Sequence, residues 1–314
     1  MDNMNIFIRS TGNISPQYSG EPDYASYIDP KMIRRMSRII KMGVVSAIEC
    51  LKNAGIDQPG AILTATAYGC LEDSSQFLRR MIEFEEKMLS PTAFIQSTHN
   101  TVGAQIALLL KCHQYNNTIV HRAFSFENAL IESALLLLEN FQSVLTGAAD
   151  ENTNDLQMIL SRFGVYRSSA DFPGEGAFFF LLEKNKPAGA LALLKTVTTF
   201  YGDLQPKDLK NLISETLQSN NMSIKDIDLI LKAYRDENKN LPTVAVPEIQ
   251  QFSFRHLCGD FPTSSAFGLM LATEILSKQR SPEKMRELAF PLNHILLYVQ
   301  NDKFHHSLML ISTC

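Results

Sequence analysis

Residues 118–134 read TIVHRAFSFENALIESA. The run begins with β-branched and apolar residues, turns at His121 and Arg122, and continues past Ser125 as a segment apolar almost all round. A helix without a polar face needs cover on every side. A strand at 117–123 feeding a buried helix at 125–139 therefore predicts a layered α/β core. Ser125 is expected to cap that helix, its Oγ accepting from the Asn128 N–H.

The same alternation extends both ways. Upstream, the patterning predicts a strand at 4–10, a Gly- and Pro-rich loop at 11–30, and a helix at 32–54 closed by Gly55. A strand at 61–67, a polar helix at 72–87, a loop from Pro91 and an apolar helix at 96–111 follow. Downstream come strands at 143–149 and 176–183, with loop at 163–174 between them. Past Asn185-Lys186-Pro187 the order resumes: strand 188–201, helix 206–219, strands 227–233 and 252–257, helix 263–277, strands 294–299 and 307–312. The chain thus divides into halves at 1–186 and 187–314 with a similar order of elements. Alternating strands and helices imply a mixed sheet covered on both faces.

The 314 residues are long enough for two domains or one large α/β unit. Hydrophobic residues make up 45% and charged residues 20%, an ordinary globular balance that excludes a disordered chain. With 29 basic and 33 acidic side chains the net charge is −4, which argues against a nucleic-acid or polybasic membrane surface. No apolar run reaches the roughly 18 residues of a membrane span, and MDNMNIFIRS lacks the pattern of a signal peptide. Five cysteines, an odd number with no CxxC, read as reduced thiols in a cytoplasmic protein. Arg34, Arg35, Arg38 and Lys41 form either a solvated helix face or a basic docking face. The seven histidines never pair at the i, i+4 spacing of a helical metal site, so no metal or other cofactor is expected.

Four segments together resemble the β-ketoacyl-acyl-carrier-protein synthases of the thiolase-like superfamily. They are RRMSRIIKM (34–42), the strand-turn-helix at 118–134, GEGAFFFLLE (174–183), and RHLCGDFPTSSAFG (255–268) in the place of the family's K-S-x-x-G-H-T-x-G-A-A-G segment. The resemblance implies a thiolase-like, five-layered α-β-α-β-α fold built from two similar halves. It also implies three catalytic side chains: a Cys at the N-terminus of the buried helix, whose thiolate takes the acyl group, and two His that promote decarboxylation of malonyl thioester. The sequence departs at all three. Phe124 stands at the Cys, Tyr234 or a neighbour at the first His, and Asp260 at the second; VQNDKFHHS replaces the terminal glycine-rich turn. The chain also looks tens of residues shorter than a typical member, with the loops after Ser10 and Gly202 as the places of loss.

Other residues could restore chemistry. Cys258 precedes Asp260 in a turn, and Cys70 follows a strand ahead of a helix; each reads as a relocated nucleophile or as a buried thiol. His305 and His306 read as surface or interface imidazoles or as catalytic ones. By the resemblance, 90–110 lines an acyl tunnel and packs across a dimer axis, which makes Thr98, Asn100, Gly103 and Ala104 interface or tunnel candidates, or simply helix packing. His121, Arg122 and Phe126 are interface candidates on the same ground. What this implies is a ketosynthase-like pseudoenzyme, closest to the chain-length factors of aryl-polyene or flexirubin-type pigment pathways. Its partner would be an active ketosynthase, or a second copy of itself, with acyl carrier protein docking on the partner. The alternatives are a thiolase-like acyltransferase using Cys70 or Cys258, or a non-catalytic acyl-binding homodimer.

Overall fold

A computed structural model describes residues 4–87, 89–165, 172–234 and 249–314. In chain order the strands are β1 (Ile6–Ile14), β2 (Ala61–Ala65), β3 (Tyr115–Ile119), β4 (Val144–Asp150), β5 (Gly176–Glu183), β6 (Ala192–Tyr201), β7 (Leu229–Tyr234), β8 (Gln250–Ser253), β9 (His294–Gln300) and β10 (His305–Ser312). The helices are α1 (Pro30–Ile33), α2 (Arg38–Ala54), α3 (Leu71–Glu83), α4 (Pro91–Gln96), α5 (Thr101–Leu110), α6 (Ser125–Leu138), α7 (Asn154–Arg162), α8 (Pro206–Ser219), α9 (Arg255–Cys258) and α10 (Ser264–Lys278).

The strands hydrogen-bond in the order β3-β2-β4-β5-β1-β6-β10-β9-β7-β8. Counted inward from either end, each set of five runs third, second, fourth, fifth, first. The pairing directions repeat too. The second strand of each set is parallel to both neighbours, and the remaining pairs are antiparallel. The sets join through a short antiparallel contact, Ile6↔Leu194 to Ile8↔Ala192.

Strand alternation builds the layers. Along GAFFFLLE, Phe178, Phe180 and Leu182 face a central core with α6 and α10, while Phe179 and Leu181 face an outer core under α2. A third core lies under α8, where Leu209, Leu212, Ile213 and Leu217 meet Ile230, Leu296 and Tyr298. Helix, sheet, helix pair, sheet, helix is the expected five-layered arrangement. Each large apolar side chain enclosed this way contributes roughly 1.5–3 kcal/mol. Gly259 (φ +79°) lets the turn after α9 approach the GEGA segment, because a Cβ there would come within 2.5 Å of Gly174 Cα.

Several boundaries differ from the sequence reading. The helix read at 32–54 is two, with Ser37 in extended conformation starting the second. The helix read at 96–111 begins only at Thr101, and the loop read from Pro91 is itself helix α4, with a break at 97–100 between the two. In the break, Thr98 Oγ1 donates to Ile95 O and Asn100 Oδ1, the local side-chain bonding that competes with helix. Residues 11–14 belong to β1 and pair with β5, so the segment after Ser10 is not loop. The strand read at 252–257 ends at Ser253 and gives way to α9. Helix α7 was not read at all, although Thr153 caps it by accepting from the Leu156 N–H at 3.2 Å.

Candidate functional site

The N-terminus of α6 is pinned by Ser125, but not as expected. Ser125 Oγ accepts from the His121 N–H at 2.8 Å and donates to Thr66 O at 2.9 Å. The serine ties its turn to the end of β2 and does not cap Asn128. Thr66 Oγ1 then donates to Asp150 Oδ1, and Thr263 Oγ1, just ahead of α10, donates to Asp150 Oδ2 at 2.7 Å. One buried carboxylate thus links the starts of both central helices. Burial pushes its pKa up, opposed by these hydrogen bonds.

Phe124 is 7% exposed. His121 stacks on its ring at 5.6 Å and His305 meets it edge-on at 4.9 Å. Asp260 pairs with Arg255, and its backbone bridges to Phe172 and Gly174. Tyr234 ends β7, its ring 5.6 Å from Tyr298. The three positions converge on the end of β9. Asn301 Nδ2 donates to Ala123 O at 2.7 Å, Arg255 Nη2 donates to Gln300 O at 3.4 Å, and Tyr234 faces Gln300 in register. The neighbours of Tyr234 from 235 onward lie outside the described residues. The three positions that the resemblance assigns to the catalytic side chains thus lie around one strand end. A phenyl ring has no nucleophilic atom, and the Asp260 carboxylate is engaged by a guanidinium.

The two thiols do not restore a nucleophile. Cys70 and Cys258 are both buried, and burial pushes both pKa values up, so each stays protonated. Cys70 does precede α3, but desolvation outweighs the helix terminus there. Beside Asp260 lies a cleft of about 310 Å³, open mouth included, lined in part by Tyr68, Glu151, Leu156, Leu160 and Phe261. Glu151 carries a carboxyl pushed up from 4.5 to about 7, chiefly by burial. Among the described residues no group of three or more His, Cys, Asp or Glu is placed to hold a metal ion.

The interface candidates separate. His121, Arg122 and Asn100 are exposed, and Thr98 and Ala104 half-buried, around α5 and the outermost strand β3. Phe126 is instead a core residue, 0% exposed and packed on Phe180 at 5.7 Å. Gly103 serves its own chain too. A Cβ there would lie 2.8 Å from Thr64 Oγ1, and its carbonyl accepts from Asn116 Nδ2 at 2.9 Å. Both are withdrawn as interface residues, because small and aromatic side chains near a sheet satisfy internal packing first. Sequence reasoning missed Arg255, Asn301 and Asp302. The last had a readable signal, its spacing of three from His305; the other two act across the fold.

Residues 10–160 match the family model described as beta-ketoacyl synthase, N-terminal domain. No curated protein matches the chain. Among solved structures, a chain of the ishigamide ketosynthase/chain length factor superposes with a TM-score of 0.81 at 14% identity, covering 99% of this chain and 100% of that one. The structure of a type II polyketide synthase acyl-carrier protein in complex with its ketosynthase gives 0.77 at 17% identity, covering 99% of each chain. A beta-ketoacyl synthase from Burkholderia phymatum gives 0.75 at 12% identity, again over 99% of each. The chain is similar to the ketosynthases and their chain length factors, and its fold is theirs.

Proposed function

We propose that this chain is a catalytically degenerate ketosynthase-like subunit that pairs with an active β-ketoacyl synthase and acts as its chain-length factor. The observation that carries this reading is the convergence of Phe124, Tyr234 and Asp260 at the end of β9, with Phe124 enclosed. A site that lost its chemistry but kept its architecture fits a subunit retained for shape. The exposed edge strand β3 and the apolar side chains of α4 and α5, Phe94, Ile95 and Leu108, offer a face for such a partner. In that pairing, bulky groups on this chain close the far end of the partner's acyl tunnel and so limit product length. The polyketide context of the similar structures supports a polyene or related acyl product. Carrier protein then docks on the partner. A cytoplasmic setting belongs to the same reading, supported by five unpaired thiols; no described helix is long and apolar enough to cross a membrane.

The deciding experiment is co-expression with a candidate ketosynthase, followed by light scattering and assay of elongation. The single chain should give no elongated product from acyl- and malonyl-carrier substrates, and the complex should. Elongation by the single chain above a no-protein control would sink the reading. A homodimer that refuses the ketosynthase but retains acyl-carrier ligand would instead favour an acyl-binding scaffold.

A further inference from the structure

The cleft beside Asp260 holds two acceptor atoms that the fold itself does not use. Glu151 is 5% exposed, and its two carboxyl oxygens differ. Oε1 accepts from the Glu72 N–H at 3.0 Å, in the first turn of α3. Oε2 has no hydrogen-bond partner among the described residues, and the side chain lines the cleft. Asn152 Oδ1, from the next residue, is buried and also without a partner. Leaving such atoms unpaired is costly, so each is a place for a donor. The backbone that carries them is held on both sides. The Asn152 N–H donates to Glu175 Oε2 at 3.2 Å, and Thr153 caps α7. Upstream, Asp150 is fixed by Thr66, Ala67 and Thr263.

The rest of the lining sets the kind of ligand. No Lys, Arg or His is among the described residues around the cleft. Arg38 is committed to Glu175 and Glu21, and Arg255 to Asp260. A ligand therefore has to bring both the donors and the positive charge. A metal ion does not fit, because no group of three or more His, Cys, Asp or Glu among the described residues is placed to hold one. A guanidinium takes both oxygens of one carboxylate, and Glu151 has one to offer. An ammonium sends its N–H bonds to separate acceptors. That matches one carboxyl oxygen and one amide oxygen, with the third bond left to water at the open mouth. Leu156 and Leu160, one turn apart on α7, line the cleft with Phe261 and Pro262 and give a hydrocarbon stem an apolar wall.

We propose that this cleft binds a primary ammonium group carried on a short unbranched hydrocarbon stem. Glu151 Oε2 and Asn152 Oδ1 accept from the ammonium, and the stem lies along Leu156, Leu160 and Phe261. The site needs no ketosynthase partner. Competition with a proton gives it a signature. In the empty cleft Glu151 keeps its proton to about pH 7, and a bound ammonium displaces it. An aliphatic amine stays charged through this range. Binding should therefore strengthen about tenfold from pH 6 to pH 8 and level off above. The other charged groups facing Glu151 are Glu72 and Asp73 on α3 and Glu175 ahead of β5, with Arg38 on Glu175. Tyr68, Asp150 and Asp260 share the cleft.

The test is calorimetric titration of the full single chain with n-butylamine at pH 6 and pH 8, with n-butanol as the uncharged control. Butylamine should saturate one site with a Kd on the order of millimolar, as a ligand of this size allows. Butanol should give no saturable heat. At pH 6 the heat should vary with the ionisation heat of the buffer, because a proton leaves as the amine binds. E151Q keeps the side-chain shape and should melt no lower than wild type at pH 8. It should lose at least tenfold in affinity, and the pH dependence with it, whereas D73N should keep that dependence. Leu160→Ala should weaken butylamine and leave methylamine unchanged, which separates the stem wall from the head. Nα-acetyl-lysine amide distinguishes the source: binding as tight as butylamine assigns the site to a lysine side chain, weaker binding to a free amine. No saturable butylamine binding at pH 8 overturns the proposal. So does an E151Q affinity equal to wild type, or an affinity that does not rise with pH.

Discussion

Phe124 stands where the resemblance places the nucleophile, and in the structure it is a packed side chain between two imidazoles. Packing is the part stability experiments can read. Phe124→Ala should cost about 3–5 kcal/mol in denaturant unfolding, the range for removing an enclosed aromatic ring. A loss under about 1 kcal/mol would show the ring standing in a void. On the proposed reading, in which Asp260 and Tyr234 or a neighbour stand in place of the two imidazoles, Phe124→Cys should not confer condensation; carrier-substrate assays check this. Glu151 gives a pH prediction. The folded chain keeps this proton to about pH 7, against an ordinary 4.5, so between those values it binds more protons than the unfolded chain. Stability therefore falls as pH rises through that window, by on the order of 2 kcal/mol, and stays lower above it. Asp150 and Glu127, also raised by burial, act in the same direction. Glu151→Gln should flatten the fall in melting temperature between pH 5 and 8 and raise the value at pH 8.

At the scale of the element, β3 and α5 carry the association proposed above. β3 closes one end of the sheet and has only β2 as a strand partner among the described residues. Asn117 partly blunts it, its side-chain oxygen accepting from the Thr118 N–H at 2.8 Å. Open edges pair with other chains unless covered. Light scattering should find a dimer, of this chain or with a ketosynthase, meeting through β3 and α5 and burying more than about 2,000 Å². Leu108, 68% exposed on α5, marks where to break it. Leu108→Asp should shift the dimer toward monomer with little change in melting temperature. Element patterning also shows what sequence conveys well. The 206–219 helix was read to the residue, since its Leu and Ile spacing and Pro206 start are local signals. The breaks at 34–37 and 97–100 were not read, because hydrophobic periodicity continues across them and only the capping geometry interrupts it.

For the whole molecule, product length in a complex with a ketosynthase is the informative measurement. Phe94, 57% exposed on α4, lies in the region that the resemblance places against the partner's tunnel. Phe94→Ala in the complex should lengthen the product by at least one ketide unit without lowering the yield of complex; an unchanged product distribution would remove Phe94 from the tunnel end. The sequence by itself determined the layered α/β class and the buried helix after Ser125. Those follow from local periodicity and from residue identity, which need no coordinates. Only the tertiary structure decided that both five-strand sets share one strand order, that Phe126 and Gly103 serve the core, and that Cys70 and Cys258 are sealed. It alone brought His305 up against Phe124, some 180 residues away in the chain. Burial and long-range proximity depend on which faces meet, and a single strand or helix does not specify its opposite surface.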